Sequence, residues 1–439
     1  MYKGAFKNVI TARATVASIV LVTNAFVWYF SVFNILNDIA SGITSDPSTT
    51  LLMWSIHIVG AIFSALAGGL LMKKRSKRNI LLVSWMLLGV GTSLAALIGN
   101  TAGSLGLFTL SLLFGISFGV GMPSCMGYFS EHSHVENRGR LGGIIMFITG
   151  LGMFLLGIMA VENGATSVFV LAGWRLVGLL LFLIVKPHEQ STEEKPASYR
   201  QVIAQRPFIL YLVPWLLFSL VNYLSLPVLS NYLDPSVLEF SMTIENVLLG
   251  VFALFGGFLS DLIGRKRMAT AGFVLLGVGY TILGIAPESI SSLYFYTIVD
   301  GIALGILYSL FVITVWGDLS YGSPSDKHYA LAGIPFFVSM YLRSAIGPFI
   351  SEVSPYAIFS FTAFFLFLAV LPLMYAPETL PDKIMKDREL KNYIEKAQKE
   401  AEKAQKNEDE STQKENVDDG IEFESAEFEE QIKEAEKYY

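Results

Sequence analysis

The feature that most constrains this chain is a succession of continuous apolar runs, each close to the ~20 residues a helix needs to cross a hydrocarbon layer about 30 Å thick. They fall at 15–37, 50–72, 80–99, 105–130, 141–161 and 167–185, then at 208–232, 242–262, 268–286, 292–317, 328–350 and 356–375. The runs do not alternate, so they specify helices rather than the strands of a barrel, and a helix satisfies its own backbone polar groups in lipid. Only 15% of residues are charged, against about 25% in an ordinary soluble domain. The expected fold class is therefore an all-α polytopic membrane protein with 12 transmembrane helices. No nucleotide-binding, metal-spacing or nucleophile-base pattern stands out, so neither an enzyme nor a cofactor is expected, and no nucleic-acid partner.

One connection is unusually tight. Gly256 to Arg267 reads GGFLSDLIGRKR and joins two membrane-length runs with no room for more than a hairpin. Gly264 supplies the backbone freedom for it, and Arg265, Lys266 and Arg267 mark the cytoplasmic side. Gly68 to Arg78, GGLLMKKRSKR, repeats the glycine pair and the basic end 188 positions earlier, with Lys73 in place of Asp261 and Ser76 in place of Gly264. Leu87–Gly91 and Leu275–Gly279 share LLGVG at the same offset. The chain thus reads as two pseudo-symmetric six-helix halves, 1–185 and 208–381, joined by a charged linker at 186–207.

With the N-terminus inside, 18 of the 31 Lys and Arg residues fall on inner segments, 11 in the tail and two, Arg175 and Arg343, within helices. Both termini are then cytoplasmic, and the first run reads as a retained span rather than a cleaved signal. The tail, 382–439, carries 19 acids and 11 bases, and is expected to be partly helical or disordered. The lone cysteine, Cys125, has no disulfide partner and reads as a small buried side chain.

Gly257-x-x-x-Asp261-x-x-Gly264-Arg265-Lys266 resembles the loop signature of the major facilitator superfamily of secondary transporters. Pro123, Glu131, Arg138, Gly139 and Arg140 are similar to the P-x7-E-x6-R-G-R pattern of its sugar-porter and organic-ion branches, and Pro377-Glu378-Thr379 to their P-E-T signature. Three marks depart from the pattern: Ser111 stands where an Arg is frequent, Pro187-His188-Glu189 is all that matches the box after span six, and span one has no acid deeper than Asp38. The resemblance implies alternating access, with a solute path on spans one, four, seven and ten.

Glu131 and Asp318 lie 187 positions apart, each ending a span beside a basic hairpin. They are the expected counter-ions of Lys77/Arg78 and of Arg265/Lys266, either in ion pairs that form in one conformation and break in the other or as a static positive-inside anchor. On the path, Asn24, Trp28 and Tyr29 of span one and Trp215, Asn222 and Tyr223 of span seven pair amides with aromatics, as a pocket for a neutral or weakly polar solute would. Pro214 and Pro227 bracket Asn222 and Tyr223 and loosen that helix. Asp300 and Arg343 come to similar heights, as a clamp on a substrate anion, an outer gate, or a structural pair. Asp300 is also a candidate proton carrier. His57 reads as a proton sensor or a hydrogen-bonded interfacial residue, and Arg175 as structurally partnered or snorkelling. Gly60, Gly68, Gly150, Gly152 and Gly157 read as close helix packing at the rocking interface.

The function expected from these residues is secondary active transport of a small organic solute across the cell membrane, with protons as the candidate coupling ion, by a monomer. Symport, proton-antiport export and uniport stay open. A transporter-like sensor signalling through the tail is the rival class.

Overall fold

The computed structural model describes residues 11–71, 78–99, 103–159, 164–185, 197–222, 225–320, 323–350 and 353–381, with isolated positions 400, 429–430 and 433. All regular structure among them is helical. The chain forms two contact units, Met1–Leu380 and Pro381–Tyr439. The second holds few described residues, and most of the tail expected to be partly helical or disordered lies outside them.

The first six helices are α1 (Ala12–Ile43), α2 (Pro47–Leu71), α3 (Arg78–Gly99), α4 (Gly103–Glu131), α5 (Arg138–Met159) and α6 (Gly164–Val185). A short α7 (Tyr199–Ile203) follows within the linker, closed by a reciprocal capping box between Ser198 and Gln201. Then come α8 (Arg206–Val221), α9 (Ser225–Tyr232), α10 (Pro235–Ile263), α11 (Arg265–Ile285) and α12 (Ile290–Tyr308). A π-helical turn, Ser309–Thr314, leads from α12 into α13 (Val315–Asp318), and α14 (Asp326–Ile350), α15 (Pro355–Leu368) and α16 (Val370–Tyr375) complete the order. Among the described residues, 10 helices are long and apolar enough to cross a membrane. The pair α8 with α9, and α14, occupy the remaining two positions of the expected twelve.

Helix ends go beyond the apolar runs wherever a polar cap can hold them. The run at 242–262 becomes a helix from Pro235, because Asp234 accepts a hydrogen bond from Ser236 N and proline fits the first turn. The break between α8 and α9 lies between Pro214 and Pro227, as expected of a helix stripped of backbone donors.

The burial pattern is that of a protein immersed in lipid. Large apolar side chains face outward, Ile184 at 79% and Leu105 at 76% exposure, whereas the largest buried groups include Trp28, Trp215, Trp316, Arg175 and Arg265. Helices approach closely where side chains vanish. Between α5 and α10, an added Cβ on Gly143 would run into the Ala253 carbonyl oxygen, and one on Gly257 into the Gly139 carbonyl. The glycines expected at the rocking interface divide differently. Gly60 and Gly68 pack α2 against α4, and Gly152 packs on Val27 of α1, all within the first six helices. Gly150 and Gly157 have nothing near their Cβ positions, since they face outward. A close contact that does join early to late helices is the α5–α10 crossing.

Candidate functional site: an ion-pair lattice at the hairpin end

Gly264 is the single residue between α10 and α11, and its φ of 110° is one that side-chain-bearing residues rarely adopt. It is constrained a second time, because a Cβ there would run into Glu378 Oε2. The Glu378 carboxylate caps α11, accepting from Arg265 N at 2.7 Å and Lys266 N at 3.1 Å. Two amides of its own turn, Thr379 N and Leu380 N, donate to it as well. A carboxylate at a helix N-terminus satisfies amides that have no intrahelical partner and complements the helix dipole.

Asp261, fully buried, performs the same task across the bundle for α5. It accepts from Gly139 N at 3.0 Å, Arg140 N at 2.8 Å and Arg140 Nε at 3.1 Å, and pairs with Arg265 Nη1 at 2.6 Å. Gly139 is there because a Cβ would lie 2.7 Å from Asp261 Oδ1. Asp318 then joins two arginines, Arg138 Nη1 at 2.5 Å and Arg265 Nε at 3.2 Å, and accepts from the Thr379 hydroxyl at 3.1 Å. Further guanidinium N–H groups donate to the end of α4 and the loop after it, and Arg265 Nη1 also reaches Ser260 Oγ of α10. Arg138 reaches Ser130 O, Ser133 O and Ser133 Oγ, and Arg265 reaches Val135 O.

A second node lies beside the first. Arg78 pairs through Nη1 with Glu131 at 2.6 Å, and its Nη2 reaches both carboxylate oxygens of Asp326 at 2.6 and 2.7 Å. Nearby, the Tyr199 hydroxyl donates to Leu66 O and Lys327 Nζ to Ala197 O, which ties the linker to α2 and α14. Burial, reinforced by the charge of Asp326, raises the Tyr199 phenol to about 12.

The pairing differs from expectation in its details. Glu131 meets Arg78 and Asp318 meets Arg265, as the repeat suggests, while Lys77 lies outside the described residues. Lys266 does not reach Asp318. Its ammonium donates to Met374 O at 2.8 Å, because its place on the first turn of α11 turns it away from the bundle axis. Asp326 and the capping role of Glu378 went unread in the sequence. Asp326 did leave a signal, since it stands 188 positions after Arg138, the repeat offset.

The expected path residues are distributed less simply. Asn24 is enclosed between α1 and α6, donating to Trp174 O at 2.7 Å and accepting from Arg175 Nη1 at 2.9 Å. Trp28 is fully buried and donates to Ser93 Oγ at 2.8 Å. Both therefore lie inside the first helix group in this conformation. Arg175 does not snorkel: at 0% exposure its guanidinium lies over the rings of Trp85, 4.2 Å away, and Trp28, 5.2 Å away. His57 is buried rather than interfacial, with Nδ1 2.9 Å from Ser111 O and Nε2 3.2 Å from the Tyr29 hydroxyl. Tyr29 stacks on Phe118 with centroids 3.6 Å apart and meets Phe337 of α14 edge-on. Trp215 donates to Ala332 O at 2.9 Å and stacks on Phe311. Asn222 is the C-cap of α8. Tyr223 lies outside the described residues, and so does the side chain of Arg343, which leaves the expected Asp300–Arg343 pair outside them. Asp300 has a different described partner, the Glu245 carboxyl of α10.

The family model described as the Major Facilitator Superfamily matches residues 17–233 and again 208–404. The chain belongs to the major facilitator superfamily. No curated protein matches it in sequence. Among solved structures, this superfamily member resembles the proton:xylose symporter XylE, captured with 6-bromo-6-deoxy-D-glucose, at 14% identity and TM-score 0.63, over 84% of this chain and 96% of that one. It also resembles the human organic anion transporter MFSD10, at 15% identity and TM-score 0.58, over 82% and 98%. A bacterial homologue of the iron transporter ferroportin in its outward-facing state matches at 14% identity and TM-score 0.63, over 83% and 97%. At such identities the likeness carries the fold, and with it a multi-pass membrane transporter architecture.

Proposed function

We propose that this superfamily member moves a small organic solute across the cell membrane by alternating access, as a monomer, with the hairpin end facing the cytoplasm. Residues 1–185 and 208–381 are the two rocking halves, 186–207 the linker and 382–439 a cytoplasmic tail. The lattice is the inner gate, drawn in its closed state. The observation that carries this reading is that its bonds run between early and late helices: Asp261 caps α5, Arg138 grips Asp318, and Arg78 grips Asp326. Opening the hairpin end breaks all of these at once, while Arg265–Asp318 and Arg78–Glu131, each within one half, can persist. Such a set of cross-bundle bonds is bistable, which is what a two-state carrier needs.

The similar proteins are a xylose symporter, an organic anion transporter and a homologue of an iron transporter, so the cargo of this chain is open to screening. Proteoliposomes are loaded with a pH dye and presented with pools of sugars, organic acids, amino acids and cationic drugs. Uptake of a member of one pool, lowered in Asp261→Asn more than reconstitution is lowered, supports the reading. Wild-type uptake in that variant refutes the gate. A pH change that accompanies uptake separates proton coupling from uniport.

A further inference from the structure

Between α12 and α13 the tenth span is wound as a π-helix over Ser309–Thr314. Val315 N donates there to Leu310 O, five residues back, where an α-helix reaches back four. Such turns are rare and concentrate at functional sites. Side chains attend to the carbonyls of this one. Trp316 Nε1 donates to Phe311 O, the Thr314 hydroxyl to Ser309 O at 2.7 Å, and the Tyr329 hydroxyl of α14 to Ile313 O at 2.5 Å. Trp316 and Tyr329 are both buried. Gly317 leaves room for the tyrosine, because a Cβ there would lie 2.8 Å from its hydroxyl. From α8, Trp215 stacks on Phe311 and Phe208 packs on Trp316.

The turn sits where α5 crosses. An added Cβ on Gly142 would lie 2.9 Å from Thr314 Oγ1 and 3.2 Å from Ser309 O, so α5 touches the turn itself. One helical turn away on each element stand the charges. Arg138 is four residues before Gly142, Asp318 is four after Thr314, and the two meet at 2.5 Å.

A π turn holds one residue more than the α turn it replaces. Were the same residues wound as an α-helix with α12 held in place, everything after the turn would advance by one residue, ~100° around the axis and ~1.5 Å along it. A carboxylate about 5 Å from the axis would then travel roughly 8 Å, out of reach of Arg138 and Arg265. Deleting a residue has the opposite consequence. Val312 is the one member of the turn that is not buried. Without it, the bond from Val315 N to Leu310 O becomes an ordinary four-residue α bond, and Asp318 keeps its place.

We infer that this turn sets the register of the lattice: Trp316 and Tyr329 hold one surplus residue, and the surplus aims Asp318 between Arg138 and Arg265. Tyr329 is a positioning residue, acting on Asp318 through the turn. The word gate rests on the reading proposed above; the placement of Asp318 does not.

The test is maleimide labelling of the full chain in lipid nanodiscs, in a Cys125→Ser, Ser130→Cys background whose new thiol replaces a buried hydroxyl at the lattice. Tyr329→Phe keeps the ring and removes the donor to Ile313 O. The turn then winds tighter in part of the population, and labelling rises roughly three- to tenfold, the worth of one hydrogen bond. Deletion of Val312 alone leaves labelling within about twofold of the parent. Added to Tyr329→Phe, the deletion returns labelling to that level, because no surplus residue is left to wind in. Lost packing is not repaired by removing a residue. Labelling of Tyr329→Phe at the parent rate, or a double variant labelled as fast as Tyr329→Phe, overturns the inference. In Asp318→Asn, Tyr329→Phe should add less than about twofold; the full increase there overturns the action through Asp318. That comparison decides alone if gel filtration and thermal unfolding show the deletion to be unfolded. If Asp261→Asn raises labelling and Tyr329→Phe does not, the gate stands and the register device falls. If labelling behaves as stated and proteoliposomes take up no solute, the transport reading falls and the placement of Asp318 stands.

Discussion

Asp261→Asn is the sharpest test of the lattice, because the change keeps the shape of the side chain and removes its charge. The carboxylate receives two backbone amides of α5, Arg140 Nε and Arg265 Nη1. An Asn oxygen can still accept from one of the amides, but its NH2 faces the other donors. Charge-assisted hydrogen bonds contribute about 1.5–3 kcal/mol each. Arg265 retains Asp318, which limits the damage to about 2–4 kcal/mol against the closed state. Since about 1.4 kcal/mol is a factor of ten, the open population rises roughly 30-fold to several hundredfold. Cys125 is the only cysteine, so a Cys125→Ser background carrying Ser130→Cys places a thiol beneath the lattice, where Ser130 is buried. Maleimide labelling of that thiol should accelerate in proportion to the open population when Asp261→Asn is added. A rate within about twofold of the parent would refute the argument that Asp261 holds the gate.

Three further outcomes follow from the geometry. Gly264→Ala meets both an unfavourable φ and the Glu378 carboxylate, and should lower thermal stability by about 1–3 kcal/mol; an unchanged unfolding profile would show the hairpin to be more plastic than drawn. Arg175→Lys should cost about 1–3 kcal/mol, because an ammonium replaces a guanidinium stacked over two tryptophans with a more strongly hydrated charge; a Lys variant as stable as the parent would deny the stacking its role. Truncation after residue 381 should leave solute flux intact in proteoliposomes, whereas loss of flux would make the tail part of the transport machinery.

The spans were legible in the sequence because lipid imposes a length and forbids charge, so α3, α4 and α12 start within a few residues of their apolar runs. The hairpin was legible for the same reason that it works, since Gly264 and Asp261 sit at fixed spacing on one turn. Partner choice was not. Arg78 and Asp326 are separated by 248 positions and meet only because α3, α4 and α14 converge, which no local pattern encodes. Asn24, Trp28 and Trp215 look like pocket residues because amides and indoles line pockets. The same groups also serve as hydrogen-bonding bolts inside a helix group, and composition does not distinguish the two. Glu245 was passed over in a polar first stretch of α10, where it looks like an ordinary surface acid.

Glu378 has a consequence for the segment that follows it. The residue that caps α11 at the gate is only three positions before the boundary at which the second unit begins, at Pro381. If the lattice is the gate proposed above, a pull on the tail would reach it through three peptide units, a leash too short to absorb slack.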